Sequence, residues 1–417
     1  MEPLSPRVGR AVLARRLCAV ALVGAGTAAA ALAGAGIGLV LGGRPGARRG
    51  LARAVTGGLQ ALGPTAAKAG QLVGARRDMI GPEWADALSV LHDRSRPMSR
   101  RSRERALARA RAEVPALAEV EVTDVLLGSG TVGCVYLGRH GADEVAVKLR
   151  RPGVDRVMAA DLRLLRGAAA LAVRLDGTGG RPLADLVDHV SAAILAQTDY
   201  TAEADHHRTL EGHLAGMPGV LIPGLRPRLC GPSVLVTDYV PGLGEAPPGG
   251  FSATAQAVAA RRALRAVRRM VFEDGFVHCD LHPGNLYVHG NGAVVLLDAG
   301  YAVRVREATR AHLDRFFRAV ALGDGRTCGE IMVETALEPV DDARREAFVS
   351  DMAAHVAAHS GDGTVFTMAE FGNGVFELQT RHGVHSRAEF VFPLSALLVV
   401  EGTLRDLMPT VEIQNGF

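Results

Sequence analysis

From Leu17 to Gly43 ("LCAVALVGAGTAAAALAGAGIGLVLGG") the chain carries no charge for 27 residues, with Arg15 and Arg16 before the run and Arg44, Arg48 and Arg49 after it. A helix of that length reaches about 40 Å at ~1.5 Å per residue, enough to cross a hydrocarbon core of about 30 Å with some tilt. Nine of its residues are Leu, Ile or Val, and most of the rest are Ala or Gly, which gain little on transfer to lipid. The pattern predicts a membrane-associated helix, with a soluble helix and a cleaved signal sequence as the competing readings. Gly34, Gly38 and Gly42 are spaced for close contact with another helix. The arginines on the two sides nearly balance, so charge does not set an orientation.

From about Leu51 to Ala118 the pattern is helical and more polar, and Pro64, Gly81-Pro82 and Pro97 divide it into short helices. The period then changes. "DVLLGSGTVGCVYLGRHGADEVAVKLRR" (124–151) predicts two strands joined by a turn and a third strand from Glu144 to Leu149, in which Val145, Val147 and Leu149 alternate with Ala146 and Lys148. A helical stretch over 184–214 follows, then an apolar strand in "SVLVTDYVPGLG" that closes on a Pro-Gly turn. Farther on, "NLYV" and "VVLLDAGYA" pair through the turn "HGNG".

Composition narrows the function classes. At 417 residues and 48% hydrophobic content the chain can fill more than one core. Lys and Arg (47) barely exceed Asp and Glu (44), and the arginine pairs are scattered rather than blocked, which argues against nucleic acid as a partner. The cysteines, Cys18, Cys134, Cys230, Cys279 and Cys328, are odd in number and form no C-x-x-C pair, so neither a disulfide framework nor a zinc site is expected and a reducing compartment is. The vocabulary rich in Ala, Arg and Gly points to a high-GC bacterial genome.

Candidate chemistry lies in four places. Gly128, Ser129, Gly130, Thr131, Val132, Gly133 and Val135 make a G-x-G-x-x-G-x-V run. A dinucleotide fingerprint would need a helix after the third glycine, whereas here a strand follows and then Lys148 in V-A-V-K. That is the order in protein kinases, where the turn covers ATP phosphates and the lysine pairs with them. On the helical stretch, Glu203 is the candidate to orient Lys148, and it lies four residues from Asp199 so that the two would share a helix face. Asp238 and Val240 stand at the hinge, where backbone groups hold adenine. In "HCDLHPGNLYV", Asp280 and Asn285 are five apart, and Asp298 comes eighteen residues after Asp280. Phosphoryl transfer needs one carboxylate near the acceptor oxygen, and an Asn with a second Asp to hold Mg²⁺ against the phosphates. His278 is expected to pack and bond to backbone, and His282 stands where many kinases carry lysine. His355 and His359, four apart without a third ligand nearby, are expected on a solvated face rather than at a metal.

These motifs, with Lys68-Ala69-Gly70-Gln71, Arg76-Arg77-Asp78, Gly81-Pro82-Glu83-Trp84, "VAVKLRRPGV", "TDYTAEA" and "EGTLRDLMP", resemble the AarF/UbiB (ABC1/ADCK) family of atypical kinases over about residues 55 to 410. The resemblance implies an α+β, two-lobed protein-kinase-like fold, with a small β-rich N-lobe, a helical C-lobe and an N-terminal helical extension carrying K-x-G-Q. The expected divisions are residues 1–50 (apolar helix with basic flanks), 51–120 (K-x-G-Q extension), 121–242 (N-lobe) and 243–417 (C-lobe). It further implies that Lys68 and Gln71 face the nucleotide, Lys148 pairs with Glu203, Asp280 is catalytic, and Asn285 and Asp298 bind Mg²⁺. Activity would be that of an ATPase or unusual kinase on lipid-like or prenylated molecules, in isoprenoid-quinone or other lipid or secondary-metabolite biosynthesis. The site would be the cytoplasmic face of a bacterial membrane, with a homodimer or biosynthetic enzymes as partners.

The sequence departs from the family in four respects. Its apolar segment is N-terminal, its nucleotide loop is glycine-rich rather than alanine-rich, Gln197 replaces the first acid of E-x-D, and Ala299 replaces the aromatic of D-F-G. A small-molecule phosphotransferase of the aminoglycoside/choline-kinase type shares the H-x-D-L-H-P-x-N loop, but K-x-G-Q and "EGTLRDLMP" tell against it. The other alternative is a nucleotide-binding pseudokinase scaffold.

Overall fold

Val145, Val147 and Leu149 are fully buried, while Ala146 and Lys148 between them lie on the other side of their strand. That alternation organises the first of two units in the computed structural model, which describes residues 9–74, 80, 82–89, 91, 96–176, 187, 191, 194–244, 251–289, 292–360 and 367–407. The first unit comprises Met1–Gly74, Glu83–Ala204 and Arg226–Tyr239, and the second Ala75–Pro82, Asp205–Leu225 and Val240–Phe417. The chain has a two-lobed α+β kinase-like fold with an N-terminal helical extension.

In the first unit, β1 (Val120–Ser129), β2 (Gly133–His140), β3 (Asp143–Arg150) and β5 (Val234–Asp238) form an antiparallel sheet in the order β1-β2-β3-β5. Its buried face packs on Ala106 and Ala110 of a polar helix, Arg100–Glu113, and on Leu117 and Leu229. Ser99 caps that helix by accepting from the Ser102 backbone N–H at 3.3 Å.

The N-terminal helical run, α1 (Arg10–Leu62), is longer than the uncharged segment, so the expected division at residue 50 falls inside it. It is also not straight. Residues 34 and 50 would lie about 24 Å apart on one straight helix, yet a Cβ on Gly34 would stand 3.0 Å from the Gly50 carbonyl oxygen. Gly38 meets Gly46 in the same way, and Gly58 meets Thr27. The run therefore folds back as a hairpin at Gly43, whose left-handed φ of 61° is open to glycine at little cost. Two helices follow, α2 (Pro64–Gly74) and α3 (Pro82–Ser89), each opening on a proline whose missing N–H costs nothing there. Arg76, Arg77, Asp78 and Gly81 lie outside the described residues, as do Met408 and Pro409 of the C-terminal motif.

Within the stretch expected as helix over 184–214, the helix that carries Glu203 is Tyr200–Leu214. Asp199 precedes it and does not share its face. Its carboxylate instead accepts from the Thr201 backbone N–H (2.9 Å) and hydroxyl (2.7 Å), an Asx-type local closure that competes with helix.

The second unit is mainly helical. Its core joins Ala259, Ala263 and Val267 of the helix Ala253–Arg268 with Leu313 and Phe316 of Glu307–Ala321, and with Val391, Leu397 and Leu404 of Ala388–Leu407. Met270 and Val271 enter the same core from a π-helical turn, Arg269–Asp274, which ends at Gly275 (φ 61°) and feeds β6 (Phe276–His278). β6 pairs with β9 (Ala302–Arg304), and between them β7 (Leu286–Val288) and β8 (Val294–Leu296) form the expected antiparallel hairpin, with the short β4 (Val220–Leu221) running parallel to β8.

Candidate active site

In the first unit the glycine turn joins β1 to β2. The Gly130 N–H donates to the Gly133 carbonyl at 2.9 Å, and the Arg151 N–H donates to Val132 at 2.9 Å. Gly133 is dictated by packing, since a Cβ there would stand 2.6 Å from the Leu149 carbonyl and strike the Tyr200 hydroxyl. Gly128 and Gly130 are not: a Cβ on Gly128 meets nothing within 4 Å, and on Gly130 only a carbonyl at 3.7 Å. Their bare backbone leaves room for a ligand to approach.

Arg151, which sequence reasoning did not single out, braces this turn. Its guanidinium donates to the Gly130 carbonyl (2.9 and 3.0 Å), the Ser129 hydroxyl (3.0 Å) and the Arg96 carbonyl (2.7 Å). The only sequence signal was its place in "KLRRPGV", directly after the strand that carries the lysine.

Lys148 lies opposite Val135 in the β2–β3 register. Its Nζ stands 2.6 Å from Glu203 Oε1, with side-chain exposures of 16% and 5%, and 5.1 Å over the ring of buried Tyr200. A pair this enclosed is held because removing either partner strands the other charge away from water. Asp238 directs its carboxylate to Arg226, at 2.6 Å, which leaves its backbone rather than its side chain for the role expected of it. The Tyr239 N–H is already given to the Glu144 carbonyl at 3.2 Å; Val240 follows it in the chain.

Lys68 and Gln71 share α2. Lys68 is buried, and Gln71 donates to the Leu91 carbonyl at 2.7 Å. The Nε2 of Gln197 is buried without a hydrogen-bond partner among the described residues.

In the second unit the "HCDLHPGN" loop is fixed largely through its histidines. His278 is buried; its Nδ1 accepts from the Asp280 N–H at 3.2 Å and its Nε2 donates to the Leu297 carbonyl at 3.0 Å. Burial holds its pKa below the ordinary imidazole range, so it is neutral with the proton on Nε2. His282 Nδ1 accepts from the Gly284 N–H at 3.0 Å, and its Nε2 lies 3.8 Å from Asp280 Oδ1. Asn285 Nδ2 donates to the Asp280 carbonyl at 2.9 Å, which ties the two expected functional residues into one turn. From the C-terminal helix, buried Thr403 donates its hydroxyl to the Leu281 carbonyl at 2.8 Å, a contact the sequence did not reveal.

Asp298 follows β8 with φ 52°, a left-handed conformation that is uncommon outside glycine. Its Oδ1 accepts from the Gly300 N–H at 3.1 Å, and the next carbonyl, Ala299, accepts from His206 Nδ1 at 3.2 Å. Ala299 is buried where kinases place an aromatic.

Among the described residues no three His, Cys, Asp or Glu side chains are grouped to hold a metal. An Asn and an Asp offering hard oxygens suit Mg²⁺, which keeps few protein ligands and completes its shell with phosphates and water. His355 and His359 are not on a solvated face. His355 donates to the Phe371 carbonyl at 2.9 Å and stacks on that ring at 5.2 Å, because apolar residues of the neighbouring helix Met368–His382 cover that side of its helix, Asp342–His359.

Residues 90–332 match the family described as ABC1 atypical kinase-like domain. Over 373 residues the chain is 27% identical to a probable protein kinase UbiB of Shewanella halifaxensis, covering 85% of this chain and 66% of the relative. A similar relative from Serratia proteamaculans, also a probable protein kinase UbiB, is 27% identical over 373 residues, at 85% and 67%. This chain thus spans about two thirds of the length of these relatives. The Mycobacterium tuberculosis protein Rv3197, solved in complex with erythromycin, aligns at a TM-score of 0.50 and 17% identity, covering 75% of this chain and 83% of that one, a likeness of fold.

Proposed function

This chain belongs to the ABC1 atypical kinase-like family, and on that premise we propose that it binds Mg-ATP and acts as an atypical kinase or ATPase supporting isoprenoid-quinone or other lipid biosynthesis at a membrane. The observation that carries the reading is the Lys148–Glu203 pair at 2.6 Å beside a glycine turn with two glycines that packing leaves unexplained.

Gly128, Ser129, Gly130, Thr131, Val132, Gly133 and Val135 would cover the triphosphate, with Lys148 on its oxygens and Glu203 holding that lysine in place. Backbone groups next to Asp238 and at Val240 would take the base. Asn285 and Asp298 would hold Mg²⁺, which when bound supplies charge neutralisation on the phosphate oxygens. Asp280 would accept the proton of the attacking hydroxyl or water. Neutral His278 does not compete for that proton, because its one basic nitrogen, Nδ1, already accepts from the Asp280 N–H while Nε2–H is given to Leu297, so it orients the loop. Lys68 and Gln71 would face the nucleotide from the extension, where Lys68 would restrain protein phosphorylation, and the acceptor would be a lipid-like or prenylated small molecule.

Phosphate release by the purified chain tests this. Asp280→Asn is expected to lower turnover at least about a hundredfold while nucleotide binding stays. Unchanged turnover would remove the enzyme reading, and binding without turnover in the unmodified protein would leave the scaffold. Lys68→Ala is expected to change autophosphorylation; an unaltered profile counts against the restraint.

A further inference from the structure

The apolar arm of the N-terminal hairpin is left uncovered by the fold. Within Ala11–Leu41 an 18-residue stretch has a mean hydropathy of 1.9, and only 6% of that stretch is buried. Leu22 (76% exposed), Leu32 (78%), Val40 (85%) and Leu41 (82%) face away from the protein, a concentration of bare apolar surface that water does not tolerate without a partner.

The hairpin decides how that partner is met. The returning arm lies against the first through Gly34/Gly50, Gly38/Gly46 and Thr27/Gly58, and it carries exposed Arg48, Arg49 and Arg53, with exposed Arg44 at the turn. It is also fastened to the rest of its unit, since Thr56 donates to the Ala87 carbonyl at 3.0 Å and Arg48 lies 3.8 Å from Glu83. The first arm is fastened as well: Arg16 reaches the Leu62 carbonyl at 2.8 Å and pairs with Asp161 at 2.5 Å. A first arm crossing a bilayer would drag the returning arm and its arginines through hydrocarbon, where such charges are strongly disfavoured.

Resting on the reading that this protein works at a membrane, we infer that residues 10–41 lie in the plane of an anionic bilayer surface as a monotopic anchor and do not cross it. Charge selects this occupant. Residues 10–62 contain seven arginines and no Asp or Glu; even with Arg16 and Arg48 set against Asp161 and Glu83, the remaining excess of positive charge complements anionic headgroups. A second copy would set like-charged arms against each other.

The test uses the full chain and phosphatidylcholine vesicles with or without phosphatidylglycerol. Anionic lipid is expected to raise vesicle binding about tenfold or more, and Leu22→Glu with Leu32→Glu is expected to abolish it without altering the thermal transition. Depth is then read by lipid-borne quenchers from a fluorophore on Cys18, the exposed cysteine, and, with Cys18→Ser, on Ala30→Cys or Val40→Cys. An in-plane arm gives one shallow depth at all three positions. A deep position 30 between shallow ends would overturn the in-plane anchor and leave the membrane reading standing. No vesicle binding would overturn both, and a dimer split by the Glu variants would assign the surface to a second copy. Mg-ATP binding is expected to be the same throughout, so that reading is judged separately.

Discussion

Arg151 does at the glycine turn what a bare glycine sequence cannot do for itself. Glycine opens the backbone to a ligand and also loosens it, and four guanidinium bonds return the lost order. Arg151→Ala is expected to weaken ATP binding about tenfold, since bonds to a charged group contribute roughly 1.5–3 kcal/mol each and only part of that bears on the loop shape; unchanged affinity would show that the brace is not used. Lysine cannot replace it, having no planar fork. His355 offers a pH test. Burial lowers its pKa from the ordinary 6.5, so at low pH the unfolded chain takes up a proton that the folded chain refuses. Its contribution is therefore complete above about pH 6.5 and is lost as pH falls from there toward the lowered folded value. Melting temperature should decline between about pH 7 and pH 5, and His355→Phe should flatten the decline; an equal decline in the variant would remove His355 as its cause. Sequence pattern showed Lys148, Glu203 and the Asp280–Asn285 spacing because motif order is a one-dimensional property. Arg151 and Thr403 stayed hidden because their partners, Gly130 and Leu281, are set by folding.

At the scale of elements, the strands were legible and the N-terminal hairpin was not. Val145, Val147 and Leu149 announce a face by their period of two. The run from Arg10 to Leu62 keeps helical composition through its reversal, so in sequence "GGRPG" looks like the end of an apolar span with a basic flank rather than a turn between two packed arms. Gly34 and Gly38 were correctly placed for close helix contact; their partners proved to be Gly50 and Gly46 of the same chain. The C-terminal helix Ala388–Leu407 has a job the motif "EGTLRD" only hinted at, which is to hold the loop between Asp280 and Asn285 through Thr403. Thr403→Val leaves the Leu281 carbonyl buried without that donor, at a cost of about 1–3 kcal/mol. It is expected to lower kcat with little change in KM for ATP, and Thr403→Ser is expected to restore it. If the serine variant is as impaired as the valine, the hydroxyl is not the reason.

At the scale of the whole molecule, family membership and the kinase-like fold were both readable from the order of short motifs along the chain, although identity to a relative is only 27%. The unit boundaries were less readable. Residues 205–225 cluster with the second unit although they precede β5 of the first, since chain order does not reveal which side of a fold a returning segment joins. The candidate residues divide between the units: the glycine turn with Lys148 and Glu203 lies in the first, and Asp280, Asn285 and Asp298 lie in the second. The proposed function depends on the second set holding a metal. Calorimetric titration of ATP with and without Mg²⁺, into the unmodified chain and into Asp298→Asn, measures it directly. Mg²⁺ is expected to tighten ATP binding about tenfold or more in the unmodified chain, a gain of ~1.4 kcal/mol or more. That gain should vanish in Asp298→Asn while the metal-free affinity stays the same. ATP binding that ignores Mg²⁺, or a gain that survives the substitution, would mean that Asp298 does not hold the metal.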